Sequence, residues 1–311
     1  MVLDVFPLRG YVDSRRVRKL IIRDISETNQ IISGRILKNE PCLIARLGAT
    51  EAKSIQCIID GQDRFPKSFL PSRVFSRIMM KRRMIELRNN AGVYPIDAKT
   101  LSVFTFEYLS AMGKADIFAV WGKGYTSIEN IISKSNVSFI DHMATSPWVT
   151  VDDAYLGGWS QALAGKRVLV VSTFSEEFET QLKRIEKVFP NAMFPKASYI
   201  FLKAPQTQGG RLDGQNWVTH LNITKDKMAN LEFDVALIAA GSYALPLASF
   251  AKTLGRVGIN CGAELQLFFG VTGERWQAQG KQKVFENEYW IRPYESNRPA
   301  NWKSVENGCY W

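Results

Sequence analysis

The sequence is poor in residues that hold metals and disulfides: its 311 residues include only four cysteines and two histidines. Cys42, Cys57, Cys261 and Cys309 are widely scattered, none in a C-x-x-C pair, and His142 and His220 stand far apart. This excludes a disulfide framework and speaks against a structural zinc site, so the thiols are expected to be reduced and mostly buried. No apolar run reaches the roughly 18–20 residues that span a bilayer. The opening MVLDVFPLRGYVDSRR lacks the basic-then-apolar order of a secretory signal. The expected location is the cytosol. Also missing are G-x-G-x-x-G, P-loop, G-x-S-x-G and H-E-x-x-H motifs, which removes support for the best-signposted nucleotide, hydrolase and metalloprotease chemistries. There is no repeat and no low-complexity stretch.

What remains is ordinary globular material, 46% hydrophobic and 23% charged, enough to bury a sizeable core. The charge is not ordinary. Forty Lys and Arg against thirty Asp and Glu give a formal net charge of +10, which favours anionic partners: nucleotide phosphates, nucleic acid, acidic glycans or the inner leaflet of a membrane. The run from Arg64 to Arg88 holds eight Lys or Arg against one acid, Glu86. Within it Arg73, Arg77 and Lys81 recur at i, i+4, i+8 and so share one helix face. That face is either plainly solvated or a docking surface for an anionic glycan, a lipid-linked acceptor or a membrane.

The apolar pattern predicts basic amphipathic helices over 11–38, with Arg15, Arg16, Arg18, Lys19 and Arg23 outward and Val17, Leu20, Ile21 and Ile25 inward. Cys42–Arg46 reads as a strand, Leu47-Gly48 as a turn, and the stretch through Ile55, Ile58 and Ile59 as a helix. Ser72 can cap a further helix with Val74, Phe75, Ile78, Met79 and Ile85 inside. More strands are expected at 116–120, 137–140, 166–172, 199–202, 233–240 and 256–260, with helices starting near Ser175 and over 222–232, 244–254 and 263–269. Strands that are apolar throughout, each followed by a Gly or Ser turn and a helix, indicate an α/β, Rossmann-like, mostly parallel sheet with helices on both faces. The last forty residues, rich in Trp, Tyr, Pro and Asn, read as an irregular, aromatic-rich C-terminal tail. The chain divides into a basic helical segment over 1–40 and an α/β domain over 41–311, with a junction near 150–165 if that domain is two fused halves.

Ligands of such sheets bind at the carboxyl ends of the strands. Four strand-to-helix turns would lie on that rim: Arg46-Leu-Gly-Ala-Thr-Glu51, Ser172-Thr-Phe-Ser-Glu176, Gly241-Ser-Tyr-Ala-Leu-Pro246 and Cys261-Gly-Ala-Glu264. Each offers free backbone N–H groups at a helix start, which suits a phosphate. Glu51 is either a dipole-favoured helix-start residue or a chemical group. Arg46 is its charge partner or a buried ion-pair residue. His142, beside Asp141, is a satisfied structural histidine or a general base. The candidate ligand-holding residues are Gly48, Ser172, Thr173, Gly241, Ser242, Tyr243, Gly262, Glu264 and Gln266.

The block DVALIAAGSYALPLASFAKTLGRVGINCGAELQLFFGVTGERW (234–276) resembles the C-terminal part of bacterial polysaccharide glycosyltransferases of the GT-D fold. VLVVSTFSEEFETQ (168–181), NEYWIRP (287–293), ENGCYW (306–311) and ARLGATE (45–51) look similar to the same group. The resemblance implies transfer of a sugar from a nucleoside diphosphate donor. It also implies an acidic D-x-E turn that contacts a divalent metal and the diphosphate. Here that turn reads Ala49-Thr50-Glu51, so the aspartate is replaced by alanine. One carboxylate is a poor site for Mg²⁺ or Mn²⁺ unless phosphate oxygens and water complete the octahedron. Glu51 is then the base or a metal contact.

The expected activity is that of a glycosyltransferase, in the cytosol or peripheral at the inner membrane, extending a lipid-linked or oligosaccharide acceptor in O-antigen or capsule assembly. Two alternatives stand beside it: an inactive scaffold of a polysaccharide complex, consistent with Ala49, and a nucleic-acid-binding protein, consistent with the charge. Nucleic acid is not among the expected partners, because no RRM, OB or helix-turn-helix signature is present.

Overall fold

Strands that are apolar on both faces need cover on both faces, and the tertiary structure supplies it. The computed structural model describes residues 21–63, 70–120, 137–141, 145–147, 150–151, 154–155, 158–190, 193–210, 213–280, 283 and 285–311. Nine strands are described: β1 (Cys42–Arg46), β2 (Ile117–Val120), β3 (Ser138–Asp141), β4 (Thr150–Val151), β5 (Ala154–Tyr155), β6 (Arg167–Ser172), β7 (Ser198–Lys203), β8 (Val235–Ala239) and β9 (Val257–Asn260). Seven of them form one sheet in the order β3-β2-β1-β9-β8-β6-β7, and every pairing within it is parallel. The fold class read from the sequence is the one observed. β4 and β5 make a separate antiparallel pair that the sequence reading does not contain.

The alternation of side chains sorts the strand residues into two cores. Leu43, Ala45, Leu169, Val171, Ala236 and Ile238 face one side. There they meet the helices α2 (Ala49–Asp63), α3 (Leu70–Ala91) and α4 (Ala98–Gly113), and further on α7 (Trp217–Ala229) and α8 (Ala244–Thr253). Cys42, Ile44, Val168, Val170, Leu237 and Ile259 face the other side, against α1 (Ile25–Lys38), α5 (Ser175–Leu182), α6 (Ile185–Val188), α9 (Glu264–Phe268), α10 (Glu274–Gln279) and the tail. One sheet therefore takes strands from both sides of residues 150–165.

Several local expectations are corrected. Helix α1 begins only at Ile25, because the Asp24 carboxylate accepts the Glu27 N–H at 2.7 Å and caps it. Ile22 just before it bridges Ile140 as extended chain. Ile25 is exposed and not inward, while Ile32 and Ile36 are fully buried. Of the residues expected inward on α3, Ile78 and Ile85 are exposed, and Met84, Leu87 and Ala91 pack inward instead, while the side chains of Val74, Phe75 and Met79 lie outside the described residues. That helix already runs at Leu70, so Ser72 is not its cap. Helix α7 starts at Trp217 behind the Asn216 cap and stops at Ala229, not 232. The basic residues 15–19, His142 and the side chains of Arg73 and Arg77 lie outside the described residues. Lys81 is exposed. No described helix is long and apolar enough to cross a membrane.

The tail is irregular but firmly docked. Trp311 is 1% exposed and sets its ring edge-on to Phe174 and Trp302, both at 6.3 Å between centroids. Gln181 Nε2 donates to the carbonyls of Gly270 (2.8 Å) and Tyr289 (3.0 Å). The buried Glu177 carboxylate accepts from Tyr294 N (2.7 Å) and from Asn297 Nδ2. Trp311→Ala should lower stability by about 3–5 kcal/mol, the usual cost of emptying a buried aromatic site. Urea unfolding checks this, and Trp311→Phe should recover most of the loss.

Candidate functional site

The parallel sheet brings the carboxyl ends of its strands to one edge. Turns after β1, β6, β7, β8 and β9 meet there around a cavity of about 610 Å³. The first turn contributes Arg46, Gly48, Ala49, Thr50 and Glu51. The others bring Thr173 and Phe174, then Gln206 to Gln208, then Gly241 and Tyr243, then Asn260, Gly262, Glu264 and Gln266. The walls are completed by Asn90 and Ala91 at the end of α3, Tyr108 of α4, Arg275 of α10, and Glu306 and Tyr310 of the tail.

Nine of the eleven candidate residues line this cavity. Ser172 and Ser242 do not. Both are fully buried, and each hydroxyl is committed within the protein. Ser172 Oγ accepts the Phe174 N–H (3.2 Å), a side-chain turn that leads into α5. Ser242 Oγ accepts Trp217 Nε1–H (2.9 Å), and its carbonyl accepts the Tyr108 hydroxyl (2.8 Å). Tyr243 reaches the cavity but stacks on Trp217 at 5.5 Å and hydrogen-bonds Thr207 Oγ1 at 3.1 Å. Gln266 is 2% exposed. Its amide donates to Tyr310 O (3.1 Å) and accepts from Trp276 Nε1 (3.4 Å), so it ties the tail to α9 and α10.

Two glycines make the charged centre possible. A side chain at Gly48 would overlap the Glu51 carboxylate, which folds back over the start of its own helix. At Gly262 φ is +58°, and a Cβ would fall 2.9 Å from Arg46 Nη1. Arg46 donates Nη1–H to Cys261 O at 3.3 Å. Burial lowers its pKa, and Glu264 is the charge that most opposes this. Burial raises the Glu51 carboxyl to about 7, against the pull of its own backbone N–H; Glu306 adds to the rise, and Arg46 offsets part of it. Arg46 therefore serves two carboxylates, Glu264 as well as Glu51.

Sequence reasoning missed four residues here. Asn260 closes β9, donates Nδ2–H to Arg46 O (2.8 Å) and accepts the Gly262 N–H (3.2 Å), which joins the ends of β1 and β9. A polar residue ending an apolar strand was the available signal. Arg275 pairs with Glu306, donates to Cys309 Sγ at 3.0 Å and lies over the Tyr310 ring at 4.7 Å. Its burial lowers the pKa, but Tyr310, Cys309 and Glu306 together hold it above the ordinary arginine value. Nothing local in the tail announces that Glu306 and Tyr310 return to the sheet edge. The four cysteines are free. Burial pushes the Cys42, Cys261 and Cys309 thiols up to about 12, so they are protonated at neutral pH.

A divalent ion held by an acidic turn would need a second carboxylate beside Glu51. Ala49 offers a methyl group to the cavity instead, and Glu51 is itself shifted toward its neutral form. No described group of three or more His, Cys, Asp or Glu converges on one point. The turn after β1 by itself therefore lacks the paired carboxylates of an acidic metal-holding turn.

Fold and site together define a parallel α/β protein with a mixed-charge ligand cavity on the carboxyl edge of its sheet. Residues 128–268, a stretch that contains β6, β7, β8 and β9, match the family model described as the GT-D fold-like domain. Two solved structures align with the chain. One, described as a selenomethionine-substituted domain of unknown function 1792, shares 14% identity over 91% of this chain and 95% of that one, at a TM-score of 0.37. The other, described as that highly conserved domain having a distinct glycosyltransferase fold, shares 13% identity with the same coverages and TM-score. No curated protein matches the chain.

The raised Glu51 has a measurable consequence. Between its ordinary value of 4.5 and about 7 the folded chain keeps a proton that the unfolded chain has released. Stability therefore falls as pH rises through that window. Glu51→Gln removes this cost, and the variant should gain on the order of 3 kcal/mol over the wild type above pH ~7. Near pH ~4.5 the gain should vanish. Urea unfolding of both proteins across this range is the measurement.

Proposed function

We propose that the chain is a glycosyltransferase that moves a sugar from a nucleoside diphosphate donor to a growing surface-glycan acceptor. The observation that carries the reading is the meeting of Arg46, Arg275 and Glu51 with several strand-to-helix turns around one cavity, in a chain whose residues 128–268 match the GT-D fold-like model. The expected acceptor is a lipid-linked or oligosaccharide chain of O-antigen or capsule type, and the expected place of action is the cytosol or the inner membrane surface.

The chemistry follows from the groups present. In transfer, an acceptor hydroxyl oxygen attacks the anomeric carbon while the bond from that carbon to the diphosphate oxygen breaks. The electron pair leaves with the diphosphate, whose growing charge needs preorganised positive partners. Arg46, Arg275 and the N–H groups opening α2 and α8 are the groups available for it. The acceptor proton goes to Glu51, whose elevated pKa suits a base working near neutrality. The two arginines can do what a metal would do in an acidic turn. Activity is therefore expected to survive chelation, and complete, reversible loss in EDTA would overturn that.

A thermal-shift screen against UDP-, GDP-, CMP- and dTDP-sugars tests the donor, since a ligand of the native state raises the melting temperature. At least one should stabilise the protein; if none does, the donor reading fails. Glu51→Gln should keep the fold and lose roughly a hundredfold or more in transfer rate. Wild-type transfer should fall as pH drops below about 7, where Glu51 takes up its proton. A folded variant that transfers at the wild-type rate would leave Glu51 as a helix-start residue only.

A further inference from the structure

A second cleft of about 590 Å³ opens beside the first, lined by Arg88, Asn89, Asn301, Trp302, Lys303 and Ser304 together with Gly209. The two cavities share their borders. Arg88 and Asn89 face the second cleft, while the next residues, Asn90 and Ala91, line the first. Gly209 faces the second, and Gln208 the first. Between them the Gln208 amide donates to Asn90 O at 2.7 Å, and Asn90 Oδ1 accepts the Glu306 N–H at 3.4 Å.

The second cleft differs in charge. Glu51, Glu264 and Glu306 line the first cavity, but among the described residues no acidic one lines the second. Arg88 and Lys303 are exposed. Arg298 lies over the Trp302 ring at 4.8 Å, Lys303 Nζ stands 5.6 Å from the same ring, and Arg298 Nε is buried without a hydrogen-bond partner. None of these three cations forms an ion pair with a carboxylate among the described residues. Of the three, Arg88 and Lys303 line the cleft; its other polar side chains are the amides of Asn89 and Asn301 and the Ser304 hydroxyl, which both donate and accept. The wall is fixed in shape, since Ser304 Oγ donates to Asn301 O (2.7 Å) and Trp302 N to Pro299 O (2.9 Å).

We propose that this cleft is the acceptor subsite and holds a negatively charged oligosaccharide whose end passes Asn90 and Gln208 to reach Glu51. The proposal rests on the reading of the first cavity as the donor site. Uncompensated cations supply the attraction for charge carried on the glycan, as a sugar carboxylate or a phosphate ester. The amides and the hydroxyl supply hydrogen bonds for its hydroxyl groups. Arg88 is also, in the sequence, the last residue of the basic run that begins at Arg64.

The test uses the full chain and calorimetric titration at constant ionic strength, because exposed charge contacts weaken with salt. The probes are tetragalacturonate as a charged glycan, maltotetraose as a neutral one and inorganic pyrophosphate as a bare anion, each titrated with saturating UDP present so that the first cavity is filled, and UDP alone for the first cavity. Tetragalacturonate should bind the wild type more tightly than maltotetraose or pyrophosphate. The double variant Arg88→Gln/Lys303→Gln should weaken it about tenfold or more, and Asn301→Asp, which adds like charge, should also weaken it. UDP affinity should stay within about twofold in both variants. These residues are exposed, and melting curves confirm that the variants fold. The proposal is overturned if the wild type does not bind tetragalacturonate, if the variants bind it unchanged, if maltotetraose or pyrophosphate binds equally well, or if UDP binding is lost along with it. Should the glycan arm behave as expected while the wild type ignores UDP, the glycan subsite stands and the donor reading falls instead.

Discussion

Strand β9 enters the sheet between β1 and β8, pairing Cys42 with Val257 on one side and Val235 with Val257 on the other. A late strand is thereby locked beside the first one, and their carboxyl ends are brought together. Asn260 then bridges the two ends through Arg46 O and Gly262 N. Both sides of this junction are buried apolar surface, so a shift of register by one residue would turn Ile44 and Ile259 to the wrong face. The register is therefore firmly held, and with it the position of Arg46 against the Gly262 turn.

That position sets the electrostatics of the cavity. A buried arginine and buried carboxylates each lose hydration, and each regains stability only through the others. Arg46 beside Glu264, Glu51 near Glu306, and Glu306 on Arg275 form one connected set of charges. Within such a set a change of charge on one group is felt by the others, as the opposed effects of Glu306 and Arg46 on Glu51 show. A carboxyl group poised near neutrality and two guanidinium groups within one enclosure suit proton transfer coupled to departure of an anionic leaving group.

The tail completes this enclosure from outside the sheet. Between Glu306 and Gly308 three successive residues have positive φ, 46°, 59° and 77°, a tight left-handed turn of which only the last residue is glycine. Such backbone costs about 1–3 kcal/mol for each non-glycine residue and persists where its surroundings fix it. Here the surroundings are the Trp302 ring packed on Gly308, the Arg275 pair with Glu306, and Trp311 in its aromatic slot. The same turn carries Glu306, which lines the first cavity, and Gly308, which packs on Trp302 of the second cleft.

The sequence by itself determined the layers. Runs such as Val168–Val171 and Val235–Ile238, apolar at every position, can be satisfied only by burial on both faces, and the Gly and Ser turns after them place ligand-facing backbone at one edge. For that reason Arg46, Gly48, Glu51, Gly241 and Gly262 could be picked out locally. Helix α4 was not legible, since LSVFTFEY mixes β-branched and aromatic residues, and only its packing of Phe104 and Tyr108 against Trp217 and the Ser242 carbonyl gives it a place. The inward face of α3 was misjudged because Ile78 and Ile85 are as apolar as the buried Met84 and Leu87. Which stripe turns inward depends on the neighbour it meets, not on hydrophobicity alone. Ser172 and Ser242 sit in turns of the right composition, yet their hydroxyls are taken by nearby donors. Arg275, Glu306 and Tyr310 reach the cavity over separations of more than two hundred residues from Glu51, and no local pattern encodes such a distance. Only the tertiary structure decided them, because the docking of the tail depends on aromatic packing against surfaces that exist only once the sheet has formed.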